Sequence, residues 1–304
     1  VDEAQFVLEQ IERIKKQEPR NKYSDFAILY RTNAQSRVLE EAMLHEGIPY
    51  VLVGGVRFYE RKEIKDVLSY LRLVANPKDE GARKRALGLG KTRLGKFEEF
   101  AKNQEPRIKN QEMTTLEVLD RVVEATGYLE LFDPKKEEDL ARLENIKELR
   151  SVAEEFPNLA EFLENVALVE KESRVRLRQD SGETREGAVT LMTMHASKGL
   201  EFPVVFMVGM EEGLFPHSRS LLDKNELEEE RRLCYVGITR AKEQLYLTYA
   251  VRRLYFGLRA ENMVSRFIAE IPEQLLRLER GEETFKQDGV YLRRSWDEEK
   301  DLPF

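Results

Sequence analysis

The chain has 304 residues, of which 41% are hydrophobic and 35% charged, with a net charge of −7 and one cysteine, Cys234. That length can bury a sizeable core in more than one domain, while a lone cysteine excludes an internal disulfide framework and fits a reducing cytosol. No apolar run approaches the roughly 20 residues of a membrane span, no signal-peptide pattern opens the chain, and the acidic balance argues against bulk attraction to nucleic acid while leaving room for a local basic patch.

Val7, Leu8, Ile11 and Ile14 recur at helical spacing, so residues 2–17 predict an amphipathic helix. The opening "VDEAQFVLEQI" carries no methionine, which predicts a piece of a longer protein. "FAILY" (26–30) reads as a buried strand, "SRVLEEAMLHEG" as a helix closed by Gly47, and "PYVLVGG" as a second strand. "ERKEIKDVLSYLRLVANP" then predicts a helix stopped at Asn76-Pro77. Strands alternating with helices indicate a parallel sheet with crossover helices.

The pattern changes over residues 78–187, which lack strong strand candidates and are dominated by charged helices such as "EEDLARLENIKELRSVAEEF". Within this segment "LGLGKTRLGK" contains Gly90-Lys91-Thr92, the ending of a phosphate-binding P-loop. The P-loop pattern needs a glycine where Arg85 stands, and a buried strand where "EGARKR" stands. Without them the backbone amides have no frame in which to wrap a triphosphate, and the P-loop reading is rejected.

The polar run "RQDSGETREG" ends this segment like a linker. Alternation then resumes with strands "AVTLMTM" and "PVVFMVGM", helix "NELEEERRLCYVGITRAK" and strand "QLYLTYA". The expected fold is α/β, a parallel-sheet domain (1–77 and 188–280) interrupted by an all-helical insertion (78–187) and followed by a mobile polar tail (281–304).

Two stretches carry chemistry. In "TMHASKGLEFPVVFMVGMEEGLFPH" a strand delivers Thr193 and His195 to its carboxyl end, where ligands sit in open α/β sheets, and the loop adds Lys198 and Glu201. In "EEERRLCYVGITRAKEQLYLTYA", Arg240 ends a helix and presents a fork of donors suited to phosphate oxygens. The plainer reading is an arginine that pairs with helix carbonyls or with Glu228–Glu230.

Together with "FAILYRTNAQSRVLEEAM" and "GGVRFYERKEIKDVLSYLRLVANP", these stretches make the chain resemble the second motor half of the UvrD/PcrA/Rep group of superfamily-one DNA helicases. "YRTNAQSR" matches the group's fourth motif, "TMHASKGLEF" its fifth and "YVGITRAKEQLYL" its sixth, in the same order. The resemblance implies a RecA-like sheet domain and a role in an ATP-dependent 3′–5′ DNA helicase. It implies that Tyr30 stacks on adenine, Arg31 reaches the γ-phosphate, Glu201 contacts the nucleotide, and Arg240 is the arginine finger. Thr193, His195 and Lys198 would couple the nucleotide cleft to DNA, and His217 and Phe256 would touch single-stranded DNA.

The resemblance also implies that Gly88, Gly90, Lys91 and Arg93 belong to a hairpin lying against duplex DNA. Arg83, Lys84, Arg85, Lys91, Arg93 and Lys96 surround those glycines with no acid between them, a composition suited to a phosphate strand. Against the family pattern, the insertion is short and the usual proline-arginine lead-in is missing.

A Walker A lysine is not seen, and "VVFMVGMEE" lacks the aspartate of a Walker B strand. The resemblance assigns both, with the ligands of the Mg2+ that accompanies ATP, to a first motor half preceding Val1. The chain alone is therefore expected not to hydrolyse ATP. Its expected partners are that missing half, single-stranded DNA and single/double-strand junctions. The end "WDEEKDLPF" resembles the terminal peptide of bacterial single-stranded-DNA-binding proteins and would recruit their partners. The expected location is the bacterial cytoplasm, at the nucleoid. The alternative is a non-catalytic DNA-binding or protein-docking module, which would have no use for Tyr30, Arg31, Glu201 and Arg240 together.

Overall fold

The computed structural model describes residues 2–110, 112–179 and 187–278. The tail at 281–304 and residues 180–186 of the expected linker lie outside the described residues. Five strands, β1 (Phe26–Tyr30), β2 (Tyr50–Val53), β3 (Val189–Thr193), β4 (Phe202–Met207) and β5 (Ala241–Leu247), form one sheet in the order β2-β3-β1-β4-β5. Every neighbouring pair is parallel, with Ile28 opposite Leu191 on one side and Phe206 on the other. β1 is central, which is why "FAILY" is apolar at every position: both of its faces are covered.

The two faces divide by residue parity. Phe26, Ile28 and Tyr30 point into a core with Val7, Leu8 and Ile11 of α1 (Asp2–Gln17) and Leu39 and Met43 of α2 (Ser36–Glu46). Ala27 and Leu29 point into the opposite core, with Met192, Val205, Met207 and Leu233 and Cys234 of α9 (Lys224–Ile238). Gly47 closes α2 in the left-handed conformation, with φ 75°, where a side chain would be strained.

The chain leaves the sheet after β2 and returns as its neighbour β3. Between them run α3 (Lys62–Ala75), α4 (Glu80–Gly88), α5 (Lys91–Lys109), α6 (Thr115–Thr126), α7 (Glu137–Glu155) and α8 (Leu159–Gln179). These helices bury a core of their own, including Val67 and Leu71 of α3, Phe97 of α5, Val122 of α6, Leu149 of α7 and Phe162 of α8. The local start signals are plain: Asp79 accepts the Ala82 N–H to begin α4, and Thr114 with Glu117 forms a reciprocal capping box before α6. Gly90, with φ 122°, joins α4 to α5, so Lys91 follows a helix and not a strand.

α9 is shorter than its sequence suggests. It ends at Ile238, and residues 241–242, expected in the helix, begin β5. Thr239 Oγ1 donates to the Val236 carbonyl, and the Arg240 carbonyl accepts the Phe202 N–H at 2.9 Å. Pairing with β4 overrides the helical pattern there.

A hairpin not foreseen from sequence follows, β6 (Arg252–Tyr255) and β7 (Leu258–Glu261), turned by Phe256 and Gly257 at φ 57° and 75°. Both central residues at positive φ define the tight turn that matches strand twist. A short α10 (Arg266–Ala269) supplies Phe267 to the α9 core. From Pro272 the chain belongs to a separate unit, whose described part holds a 3-10 turn at Glu273–Leu275. No helix among the described residues is long and apolar enough to cross a membrane.

Candidate functional site

The chain turns out of β1 at Arg31, where Gln35 Oε1 accepts the N–H groups of both Arg31 and Thr32, at 3.0 and 2.9 Å. This fixes the backbone and sends the Arg31 side chain to α9. There Nε lies 2.9 and 3.0 Å from the two carboxylate oxygens of Glu230, and Nη2 lies 2.7 Å from Oε1. Glu230 is buried and its other oxygen also accepts the His217 N–H at 3.0 Å. One carboxylate thus ties the end of β1 to the loop after β4.

His217 goes further. Its Nδ1 accepts the Arg219 N–H, a long contact of 3.4 Å, which leaves Nε2 as the ring's donor. Nε2 lies 2.9 Å from Glu144 Oε1, a buried carboxylate on α7. The expected DNA contact is therefore committed to the helical segment.

His195 lies in the same neighbourhood. It is exposed, and partial desolvation, followed by the Arg31 charge, lowers its pKa from the ordinary imidazole value of 6.5, against the pull of Glu137 and Glu230. Thr193 Oγ1 accepts the Ala196 N–H at 3.2 Å and shapes the turn after β3. Gly199, at φ 87°, bends the crossover back toward the start of β4 and leaves Lys198 exposed.

Glu201 and Arg240 stand at the other end of this strip. β3 finishes at the carboxyl edge, but Glu201 directly precedes β4 and so lies at the amino edge, contrary to the single-loop expectation. Glu201 is exposed, 3.7 Å from Lys242 Nζ. Arg240 donates to the carbonyls of Val236 and Leu200, at 2.9 and 3.0 Å, and to Thr239 Oγ1. Of its two plain alternatives it takes the carbonyls, and the glutamate pair belongs to Arg31. Eight residues of α9 separate Glu230 from the helix end at Ile238, about 12 Å of helix rise, and Arg240 lies two residues further on.

Tyr30 is placed inside the sheet domain. Its ring is 2% exposed and forms part of the α1–α2 core. Burial raises its pKa well above the ordinary phenol value, with Glu40 adding to the rise.

Phe256 is partly buried at the hairpin tip, and Lys147 Nζ lies 5.3 Å from its ring centre. The tip is seated on α7, where the Gly257 N–H donates to the buried Ser151 Oγ at 3.0 Å.

In the basic stretch, Gly88 ends α4, Gly90 makes the turn and Lys91 opens α5. Arg93 bonds back to the Leu89 carbonyl at 3.3 Å, Arg83 pairs with Glu98, and Arg85 with buried Asp66 at 2.7 Å. Lys84, Lys91 and Lys96 are exposed and make no ion pair among the described residues. No group of three or more potential metal-ligating side chains occurs among the described residues.

The sequence offered Glu230 only as an alternative partner of Arg240, and Glu144 not at all. A signal existed for the first: Glu230 shares a helical face with Leu233, Cys234 and Gly237, all buried.

The chain matches the family model described as "UvrD-like helicase C-terminal domain" over residues 1–132 and 93–252. It is 42% identical over 323 residues to the protein named ATP-dependent DNA helicase PcrA from Staphylococcus epidermidis strain RP62A, covering 90% of this chain and 43% of that protein. To the protein of the same name from Staphylococcus aureus strain NCTC 8325 it is 42% identical over 316 residues, with the same two shares, 90% and 43%. The chain thus spans less than half the length of these relatives.

Proposed function

This chain belongs to the family of UvrD-like helicase C-terminal domains, and from that premise we propose that it is the C-terminal motor half of an ATP-dependent 3′–5′ DNA helicase. Its part is one wall of a nucleotide cleft, formed by the β3–β4 crossover and α9. The observation that carries this reading is the Arg31 guanidinium, held through Nε and Nη2 by Glu230 while Nη1 has no partner among the described residues. An arginine gripped along one edge leaves the other edge oriented for a phosphate oxygen.

Arg240 would act differently. Its acceptors are two carbonyls and a hydroxyl, none of which cancels its charge. That charge is available to a phosphoryl group in transfer, the role in which an arginine finger contributes on the order of 10³–10⁵ in rate. Glu201, at the same end of the strip, would contact the nucleotide.

The carboxylates of this wall do not suit Mg2+. Glu230 is filled by Arg31 and His217, and Glu201 faces Lys242. The proposal therefore assigns the metal's ligands to a first motor half, and the chain alone does not turn over ATP.

Thr193, His195 and Lys198, on the crossover, would couple the cleft to single-stranded DNA, which Phe256 would meet by stacking, an interaction of about 1–3 kcal/mol per base without sequence preference. Lys84, Lys91 and Lys96, around Gly88 and Gly90, would face the phosphates of a duplex at a junction. The acidic Pro-Phe end would recruit partners of single-stranded-DNA-binding proteins, and the enzyme would work at the bacterial nucleoid.

The test is single-stranded-DNA-stimulated ATP hydrolysis by this chain, alone and mixed with a separately purified first motor half of a PcrA helicase. Activity is expected only in the mixture and is lost with Arg240→Ala. Silence in the mixture, with both halves folded and bound to each other, refutes the motor reading and favours the non-catalytic module.

A further inference from the structure

Resting on the proposed reading of Arg31 as a phosphate contact, we infer that Glu230 is its positioning residue, and that the same carboxylate ties the phosphate site to the helical segment through His217 and Glu144. The geometry is specific. Both Glu230 oxygens face the Nε edge of Arg31, within 2.7–3.0 Å, and this fixes the plane of the guanidinium. A bidentate grip restricts rotation about the last side-chain bonds, which a single contact does not.

Two acceptor arrangements could have served Arg31, a competing one and a supporting one. A competitor would occupy the edge a phosphate needs. Here Nη1, which completes the opposite edge with the second Nη2 proton, meets no partner among the described residues. Glu230 therefore supports the phosphate-binding pose and does not block it.

The relay follows from shared atoms. Glu230 Oε2 accepts both Arg31 Nε–H and the His217 N–H, at 3.0 Å each. The imidazole of that same histidine meets Glu144, 2.9 Å away on α7. Glu144, Glu230 and the His217 ring are all largely withdrawn from water, with side-chain exposures of 7%, 6% and 12%, so none exchanges partners with solvent freely. Through these shared atoms one carboxylate holds Arg31, the His217 loop and α7 in a single arrangement, with the guanidinium already set for a phosphate.

Nuclear magnetic resonance of the 304-residue chain tests this, with inorganic tripolyphosphate as the probe. In the unsubstituted chain, tripolyphosphate is expected to move the Arg31 Nη signals and leave the Nε signal where Glu230 sets it. Movement of Nε to its solvent-exposed position would make Glu230 a competitor and overturn the proposal, and that measurement needs no variant.

In Glu230→Gln, hydrogen exchange at Arg31 Nε and at the His217 amide should quicken roughly tenfold or more. The Ile28 amide in β1 should keep its rate, as a control for the fold. Unchanged exchange at Arg31 and His217 overturns the proposal. In Arg31→Lys the His217 amide should stay protected, because Glu230 still accepts it, and fast exchange there would overturn the proposal. No response of Arg31 to tripolyphosphate in the unsubstituted chain, with fast exchange in Glu230→Gln, would instead defeat the phosphate reading alone.

Discussion

Glu40 offers a direct test of the electrostatics where α2 meets the helical segment. Its carboxylate is buried, accepts the Ser36 hydroxyl at 2.7 Å and the Phe58 N–H at 3.3 Å, and lies 3.9 Å from Arg61 Nη2. Burial dominates and pushes its pKa from 4.5 up to about 7, against the pull of Arg61 and of these hydrogen bonds. A raised folded-state pKa means that the folded protein holds this proton more tightly than the unfolded chain. The contribution is therefore complete below pH 4.5 and is lost as pH rises through about 7. At about 1.4 kcal/mol per pH unit the loss is about 3 kcal/mol.

Glu40→Gln keeps the shape and removes the titration. At acid pH the variant should be less stable by about 1 kcal/mol, because an amide NH2 replaces a group that suited Ser36 and Arg61. Near pH 8.5 or so it should be more stable by about 2 kcal/mol, since the wild type then carries a buried charge that Arg61 does not fully offset. Urea unfolding followed by circular dichroism, across a series of pH values, gives the difference directly. A difference that stays constant from acid to alkaline pH refutes the reasoning, because it would mean that Glu40 keeps an ordinary carboxylate pKa when folded.

Gly257→Ala should cost about 1–2 kcal/mol of stability, since φ is 75° and the added Cβ would lie 3.1 Å from the Arg150 Cβ. Its unfolding midpoint in urea checks this, and a midpoint equal to wild type would show that the hairpin tip is not seated on α7. His195 should titrate below 6.5 in a proton resonance experiment, and Arg31→Met should move the midpoint upward, because the Arg31 charge disfavours the imidazolium. A wild-type midpoint at or above 6.5 contradicts this environment.

The sheet was legible because its strands are short and its three interior ones, β3, β1 and β4, are strongly apolar. Apolar runs such as "FAILY" and "AVTLMTM", bounded by polar turns, leave few alternatives to a parallel sheet covered on both faces. Gly47 and Asn76 stopped their helices where local backbone chemistry requires. The end of α9 was not legible, because Ala241 and Lys242 are acceptable helix residues and only pairing with β4 decides against them. The burial of Tyr30 was within reach: it shares strand parity with Phe26 and Ile28, which face the α1–α2 core. Helical spacing could have marked Glu230 as buried, but its pairing with Arg31, and that of His217 with Glu144, was beyond sequence reasoning, since the partners lie 199 and 73 residues apart along the chain.

α7 explains why the helical segment can have its own core and still be fixed to the sheet. Ile146, Leu149, Val152 and Ala153 face the helical core. Glu144, Asn145, Glu148 and Ser151 are equally buried but polar, and at this spacing they form a second stripe on the same helix. Each meets a partner from outside the helical segment or from its entry: His217, Arg61, Arg37 and the Gly257 N–H. A joint made of buried polar pairs contributes less net stability than apolar packing of the same area, because desolvation offsets much of the attraction. It is, however, selective in register, since a misplaced stripe strands several charges without partners. Glu230 extends this joint toward β1, since the His217 whose ring meets Glu144 also donates its N–H to Glu230. A sheet and a helical segment joined by continuous apolar packing would have no such discrete handle.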